Sequence, residues 1–246
     1  MSQNKVALVT GASRGIGKAI VYELASKGYD LIINYKNSED LAQKLCDKII
    51  KDFNVKALKF KADISNENDV KNLFEFSINN FKKIDILINN AGICNDMEFC
   101  DRTVSQFVET FKTNVFGVFD ICRLVGREMK KNKYGKIINI SSNNSINCFY
   151  PTSIDYDASK AALNNLTKNM AIEFSPYVNV NAIAPGWIET EMNKDLTPDI
   201  MELEKERILK KRIGKPEDVA KLVSFLISDD AEYINGEIIV IDGGMF

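Results

Sequence analysis

The sequence predicts an α/β fold: a single doubly wound domain with about seven mainly parallel strands and helices on both faces. Short apolar runs alternate with segments of helical apolar spacing along all 246 residues. A glycine-rich turn joins the first apolar run to the first helical segment. Neither an internal repeat nor a linker divides the chain, so residues 1–246 are predicted to form one domain.

Composition excludes several classes of function. The net charge is −2, so binding to nucleic acid or to an acidic membrane surface is not expected. The chain lacks an apolar run of roughly 18 residues and an N-terminal signal segment, which argues against a membrane span and secretion. Its five scattered cysteines favour a cytoplasmic protein with reduced thiols. Because the chain has no histidine, histidine-ligated metal sites and histidine-based triads are excluded, no metal is predicted, and a catalytic proton must come from another side chain.

The first apolar run, at residues 5–10, leads into the glycine-rich turn at residues 11–17 and a helix at residues 18–27. Glycines let the backbone approach a ligand closely, and the helix N-terminus offers free N–H groups to a phosphate. This Rossmann-type unit predicts dinucleotide binding, and a plain strand-to-helix turn is the alternative. The predicted contacts are Gly11, Ser13, Arg14, Gly15, Ile16 and Gly17.

The second strand, at residues 30–36, ends in Tyr35 and Lys36, with no carboxylate before Glu39. An NAD site usually carries an acid here for the ribose 2′-hydroxyl. Lys36 and Arg14 together suit a 2′-phosphate, so the sequence predicts NADP(H) over NAD(H). The alternative is that Lys36 is a solvated surface charge.

The remaining patterns continue the alternation. Strands are predicted at residues 55–62, 85–88, 135–140, 178–184 and 237–242, and helices at residues 38–53, 66–81, 103–131, 155–174 and 217–228. Ser38 is predicted to cap the first of these helices. Residues 187–213 are polar and irregular, and are predicted to form a mobile lid over the crevice.

The carboxyl ends of parallel strands meet at one edge of a sheet, where cofactors bind. The small or polar residues predicted to line this edge are Asp63, Ile64, Asn90, Ala91, Gly92, Pro185 and Gly186. Asp63 and Ile64 end the third strand, where an adenine would lie. The sequence therefore predicts a cofactor crevice along this edge.

Tyr156 and Lys160 are four residues apart, so a helix places both side chains on one face. A free phenol titrates near ~10, and a nearby ammonium would lower its pKa toward the range useful for acid–base catalysis. The alternative is two ordinary residues of an amphipathic helix. Asn114, between Phe111 and Phe116, looks buried and is either a structural hydrogen bonder or part of the site.

Several motifs occur together in a fixed order. They are Thr10-Gly11-x-x-x-Gly15-Ile16-Gly17, Asn89-Asn90-Ala91-Gly92, Asn114, Ser142, Tyr156-x-x-x-Lys160 and Pro185-Gly186-x-Ile188-x-Thr190. As an ordered set they resemble the short-chain dehydrogenase/reductase family, and the resemblance covers essentially the whole chain.

The resemblance implies a catalytic role for each residue. Tyr156 would protonate a carbonyl oxygen as NADPH delivers hydride, while Lys160 lowers its pKa and holds the nicotinamide ribose. Ser142 would hydrogen-bond the substrate carbonyl, and Asn114 would hold a water that links Lys160 to solvent. Ile188 and Thr190 would bind the nicotinamide carboxamide.

Residues 34–35, 89–93, 212–220 and 234–244 are most similar to bacterial 3-oxoacyl-acyl-carrier-protein reductases of fatty acid biosynthesis. That group implies a 3-oxoacyl thioester substrate, contact with an acyl carrier protein, and a homotetramer packed through helices 103–131 and 155–174. Lys130, Lys131 and Lys133 would meet the acidic carrier, or form a solvated helix end.

Two departures from this group lie in the loop before Tyr156 and at residues 176–179, where the chain is about one residue short and lacks a basic residue. Ser142 precedes Tyr156 by fourteen residues where thirteen is commoner, which makes Ser141 a weaker second candidate. Phe149 and Tyr150 are bulkier than the small residues usual there, which favours other substrates. The alternatives are a dehydrogenase of a steroid, sugar or small alcohol, and a non-catalytic dinucleotide sensor that regulates a partner.

Overall fold

Parallel strand pairing organises the protein. The computed structural model describes residues 4–191 and 197–245. Seven strands form one sheet in the order β3-β2-β1-β4-β5-β6-β7, and every neighbouring pair is parallel. The strands are β1 Val6–Val9, β2 Asp30–Tyr35, β3 Ala57–Lys61, β4 Ile86–Asn89, β5 Gly135–Ile140, β6 Val178–Pro185 and β7 Ile238–Ile241. The predicted doubly wound sheet is confirmed.

Helices lie between the strands. They are α1 Gly15–Ser26, α2 Glu39–Phe53, α3 Glu67–Phe81, α4 Val104–Phe111, α5 Gly117–Asn132, α6 Ile154–Phe174, α7 Pro198–Arg207 and α8 Pro216–Leu226. Within the two described ranges, no helix combines the length and apolar character that crossing a bilayer requires.

Three sequence predictions differ in detail from the structure. The helix expected over residues 103–131 is interrupted by a π-helical turn, Lys112–Phe116, between α4 and α5. Ser38 precedes α2 but makes no capping hydrogen bond, and the acids Glu39 and Asp40 lie in the first turn instead. The segment expected to be irregular, residues 187–213, contains α7; residues 192–196 of that segment lie outside the described residues.

The core has two halves, one on each face of the sheet. Val9 and Ile88 face the side covered by α1, α2 and α8, where Leu24 and Val223 are fully buried. Alternate strand residues, such as Leu8, face the side covered by α3, α5 and α6. Since both faces are covered, β1 is apolar at every position and β4 at all positions except Asn89, and this explains the short apolar runs of the sequence.

The order of the strands reverses between β1 and β4. The chain adds β2 and β3 on one side of β1, and β4 to β7 on the other. In a doubly wound sheet the crossover helices diverge at such a point and leave a crevice at the carboxyl edge. The residues that follow β1 and β4 therefore face one open crevice.

Candidate active site

The turn after β1 is shaped to receive a ligand against its backbone. Gly11 and Gly15 have φ angles of +59° and +52°, a region that disfavours side chains. A Cβ atom on Gly11 would lie 2.9 Å from Cα of Ala91, and one on Gly17 would lie 2.5 Å from Nδ2 of Asn90. Because α1 begins at Gly15, its free N–H groups point out of this turn. A dinucleotide pyrophosphate fits such a cradle, and the individual contacts remain predictions.

Hydrogen bonds fix the turn to the end of β4. The Asn90 side chain donates to the carbonyls of Thr10 (2.9 Å) and Gly11 (3.0 Å). The Thr10 hydroxyl accepts from the N–H groups of Asn90 (3.0 Å) and Ala91 (3.1 Å). Asn34, which sequence reasoning missed, accepts from the Gly11 N–H at 3.2 Å. The sequence signal that could have identified Asn34 is an asparagine near the end of a mainly apolar strand.

Lys36 and Arg14, the two cations predicted to bind a 2′-phosphate, each contact a carboxylate. Nζ of Lys36 lies 2.7 Å from Asp63 Oδ2, and the Arg14 guanidinium lies 3.2 Å from Glu191 Oε2. Burial raises the pKa of Asp63, but hydrogen bonds from Lys36 and Ser65 outweigh this and leave it lowered.

The other residues predicted for the cofactor differ in accessibility. Ser13 and Ile64 are buried, and Ile16 packs partly against the core. Tyr35 is buried and packs with the core, with Lys59 Nζ 5.6 Å from the centroid of its ring, and its contact with the cofactor stays a prediction.

Tyr156 and Lys160 lie one turn apart on α6, with Lys160 Nζ 5.5 Å from the centroid of the Tyr156 ring. The ammonium donates to the carbonyl of Ile140 at 2.7 Å. Burial lowers the pKa of Lys160 to about 8. Burial also raises the pKa of Tyr156, more than a hydrogen bond with the Ser142 hydroxyl lowers it.

The expected lowering of the phenol pKa by Lys160 is therefore absent from this arrangement. The ammonium lies over the ring and is directed to the Ile140 carbonyl. Burial disfavours the charged form of both groups. The phenol consequently keeps its proton, as a general acid must before it reacts.

Asn114 is a structural hydrogen bonder that also lies beside Lys160, and its part in the site stays a prediction. It lies in the π-helical turn, is fully buried, and exchanges two hydrogen bonds of 2.9 Å with the backbone of Ile93. Its amide also donates to Ser159 on α6 at 3.0 Å. A Cβ atom on Gly92 would lie 3.3 Å from Asn114 Oδ1 and 3.5 Å from Lys160 Nζ, so Asn114 adjoins the Lys160 side chain. π-Helical turns often occur at functional sites.

The hydroxyl groups of the two serines after β5, Ser141 and Ser142, face different partners. The Ser142 hydroxyl accepts from the N–H of Asn144 at 3.2 Å and interacts with Tyr156. The Ser141 hydroxyl instead donates to Asn164 on α6 at 2.6 Å. The geometry thus favours Ser142 over Ser141 as the serine that meets a substrate.

The segment after β6 closes the other side of the crevice. A Cβ atom on Gly186 would lie 2.6 Å from Cβ of Asp242, so the backbone passes close to the end of β7. Ile188 is buried and pairs with Gly214 as an isolated bridge. The Thr190 methyl group would lie 3.5 Å from a Cβ on Gly15, which brings Thr190 to the glycine turn.

Helix α7 is anchored to the loop before Tyr156, which the sequence did not reveal. Glu204 on α7 is buried, and its Oε2 accepts from the Tyr150 hydroxyl (3.0 Å) and the Trp187 indole (2.9 Å). Arg207 contacts the same oxygen at 3.1 Å. The two aromatic rings meet edge to face, with centroids 5.8 Å apart.

A buried ion pair beside Tyr156 was also missed. Arg102 donates to Asp155 at 3.0 Å, and the two side chains are 6% and 0% exposed. Arg102 also donates to the carbonyls of Asn95 and Thr152, and the Thr110 hydroxyl donates to Asp155. The pair thereby holds the segment after β4, the loop before Tyr156 and the first turn of α6 together.

This fold and site define an oxidoreductase that uses a nicotinamide dinucleotide to interconvert an alcohol and a carbonyl group. The chain belongs to the short-chain dehydrogenase/reductase family, as its motifs predicted. Residues 11–246 match the family described as enoyl-(acyl carrier protein) reductase.

Individual relatives cover nearly the whole chain. The 3-oxoacyl-acyl-carrier-protein reductase FabG of Aquifex aeolicus is 40% identical, over 99% of this chain and 98% of the relative. That of Staphylococcus epidermidis is 37% identical, over 99% of both chains. Among solved structures, a 7α-hydroxysteroid dehydrogenase complexed with NADH and 7-oxo glycochenodeoxycholic acid has a TM-score of 0.94 and 34% identity. The match covers 99% of this chain and 95% of that chain.

Replacement of Arg102 tests the buried ion pair. Arg102→Met would leave the Asp155 carboxylate buried without its cation, so we expect the free energy of unfolding to fall by about 3–5 kcal/mol. Urea unfolding followed by circular dichroism, at one protein concentration, measures this. Arg212→Met is the control, because Arg212 contacts Asp218 at an exposed position and should change stability much less. Equal losses in both variants would contradict the interpretation.

Proposed function

We propose that this protein is an NADPH-dependent 3-oxoacyl-acyl-carrier-protein reductase of fatty acid biosynthesis, with Tyr156 as the acid. The observation that carries the proposal is the meeting of the Tyr156 phenol and the Ser142 hydroxyl beside the buried Lys160. Relatives of that name, similar over the full length, support the choice of substrate class.

Each side chain has a distinct part in this mechanism. A bound nicotinamide dinucleotide supplies the hydride, and residues 11–17, Asn90, Ile188 and Thr190 would hold it. Ser142 donates a hydrogen bond to the substrate carbonyl oxygen, where negative charge develops. Tyr156 delivers the phenolic proton to that oxygen, so the alcohol leaves neutral.

Lys160 stabilises the phenolate that Tyr156 becomes when it gives up its proton. Once the proton leaves, the phenolate is half-buried, and the buried Lys160 is the ammonium nearest to it on α6. With a pKa of about 8, Lys160 is largely charged at neutral pH and remains able to give up a proton. Asn114, beside Lys160, suits the hydrogen-bonded route by which that proton is replaced.

Tyr156→Phe tests the mechanism. The variant keeps the ring but removes the proton, so we expect turnover to fall by about 10²–10⁴-fold. The assay follows NADPH absorbance with acetoacetyl-CoA as the thioester probe. Tyr177→Phe, at an exposed tyrosine, is the control and should retain activity. Unchanged turnover in Tyr156→Phe would contradict the role, and cofactor binding without any turnover in the wild type would favour the sensor.

We extend the proposal to a preference for NADPH over NADH. Arg14 and Lys36 are exposed cations beside the end of β2, and each contacts a carboxylate that a 2′-phosphate can replace. No acid stands at the end of β2 to bind a ribose 2′-hydroxyl. The steroid dehydrogenase neighbour, by contrast, was solved with NADH.

Lys36→Met measures this preference. We expect kcat/KM for NADPH to fall about 10-fold, because a charge-assisted contact with the phosphate is lost, and kcat/KM for NADH to stay within about twofold. Lys27→Met, which removes an exposed lysine from the end of α1, should alter neither value. A wild-type ratio of NADPH to NADH efficiency below one would overturn the preference.

A dehydrogenase of a steroid, sugar or small alcohol is the second candidate. Tyr150 and Trp187 place two large rings beside the loop that leads to Tyr156, and the likeness to a steroid dehydrogenase points the same way. Oxidation of a hydroxysteroid, combined with no reduction of acetoacetyl-CoA, would favour it. In either case we propose that the described part of residues 187–213 forms the lid, with Glu204 tying α7 to the loop at Tyr150.

The proposal includes a cytoplasmic location and docking of an acyl carrier protein. The lysines considered for docking lie at the end of α5. Lys130 contacts Glu173 at 3.2 Å, Lys131 contacts Glu128 at 3.7 Å, and Lys133 lies over the Tyr177 ring. All three border solvent, so an acidic partner can reach them.

We also propose a homotetramer packed through α4, α5 and α6. Phe116 and Phe119 on the π-helical turn and α5 are more than half exposed, and Ile172 on α6 is 78% exposed. Large apolar side chains exposed together mark surfaces that another chain covers.

Light scattering tests the assembly. At micromolar concentration we expect a mass about four times the 27.7 kDa of one chain. Phe119→Asp should shift the protein toward smaller species, because a charge would enter an apolar contact. Leu41→Asp on α2, outside these helices, should leave the mass unchanged. A wild-type monomer would refute the tetramer.

A further inference from the structure

The residue after Tyr156 on α6, Asp157, binds the loop that runs from Ser142 to Tyr156. One carboxylate oxygen of Asp157 accepts from the Asn144 amide at 2.8 Å. The other accepts from the backbone N–H of Tyr150 at 3.1 Å. The Ser153 hydroxyl adds a longer contact of 3.4 Å. One half-buried carboxylate therefore fixes three points of this loop.

Asn144 passes this anchoring on to Ser142. Its side chain is held by Asp157, while its backbone N–H donates to the Ser142 hydroxyl oxygen at 3.2 Å. A hydroxyl that accepts one hydrogen bond still has a proton to donate. The fixed N–H therefore sets the direction of the Ser142 hydroxyl, which lies against Tyr156.

The same loop has a second, separate anchor on α6. Asn164, two turns beyond Asp157, accepts from the Ser141 hydroxyl at 2.6 Å and donates to the Ser145 hydroxyl at 2.8 Å. These contacts hold the start of the loop without Asp157. Loss of Asp157 should consequently free the Asn144 side chain and loosen residues 142–150 without unfolding the loop.

Anchoring a loop with a half-buried carboxylate carries a desolvation cost. Burial raises the pKa of Asp157, and the hydrogen bonds from Asn144 and Tyr150 offset only part of that effect. Uncharged side chains could hold a surface loop with a smaller desolvation cost. Asp157 lies next to Tyr156 and is connected to Ser142 through the hydrogen bonds of Asn144. This position points to a role for the carboxylate in the site.

We propose that Asp157 and Asn144 form a positioning pair that holds the Ser142 hydroxyl in the orientation required for reaction. The inference rests on the proposed roles of Tyr156 and Ser142. It adds two residues that touch neither substrate nor cofactor but act through Ser142.

A double-mutant cycle tests the pair. Asp157→Ala and Asn144→Ala are each expected to lower kcat about 10-fold with acetoacetyl-CoA and NADPH, since misplacement of one donor has effects of that order or larger. KM for NADPH should stay within about twofold. The double variant should lose about as much as either single one, because both changes break one chain of contacts.

Controls separate positioning from stability. Glu173→Ala removes an exposed carboxylate from the far end of α6 and should keep wild-type kcat. Asp157→Asn retains an acceptor for the Tyr150 N–H and should recover part of kcat. Additive losses in the cycle, or single variants with unchanged kcat, would overturn the proposal.

Hydrogen–deuterium exchange gives a readout that does not need turnover. Backbone amides of residues 142–150 should exchange faster in Asp157→Ala than in Glu173→Ala, while residues 161–171 should exchange alike. If wild-type protein does not reduce acetoacetyl-CoA, or if Tyr156→Phe stays active, the proposed function fails. The positioning pair is then tested by hydrogen–deuterium exchange alone. Exchange at residues 142–150 that is unchanged in Asp157→Ala refutes it.

Discussion

The parallel pairing of β1 with β4 is the constraint on which the site depends. The register places Ala7 opposite Ile86 and Val9 opposite Ile88, so both strands end at the same level. This brings Gly11 against Ala91 with no room for a Cβ atom between them. Because the strand order reverses here, the adjoining crossover helices leave this edge open. A narrow cradle lined by backbone thus follows from strand order alone.

Burial determines the electrostatics of the reacting groups. Lys160 is buried and Tyr156 is half-buried, and this loss of solvation moves the pKa values of the two groups in opposite directions from their ordinary values. Before reaction the neutral phenol is the stable form. After proton donation the charges are opposite and close, and their attraction is stronger in this poorly solvated site than in water. The same burial that makes the phenol a weak acid therefore makes Lys160 effective once the proton has left.

The sequence predicted most of the fold, and it singled out Tyr156 and Lys160 as the candidate reacting side chains. Continuous apolar runs such as residues 6–9 arise because both faces of the sheet are covered, and this is a local pattern that a sequence displays. The Tyr156 and Lys160 spacing is likewise local. The pairing of Lys36 with Asp63, and of Glu204 with Tyr150, joins residues far apart in the chain, and depends on side-chain directions that no periodicity encodes.

Many of the contacts that the sequence did not predict are made by side chains of helix α6. Its side chains meet three kinds of surroundings: the apolar core at Leu163, the reacting groups at Tyr156, and polar loop anchors at Asp155, Asp157 and Asn164. A helix with so many polar contacts inside the protein does not show one clean apolar stripe. Aspartates on both sides of Tyr156 look like a solvated helix start in sequence, where acids are common. Within the fold each aspartate holds a different segment, so the start of α6 joins the loop before Tyr156, the segment after β4 and Tyr156 itself, the proposed proton donor.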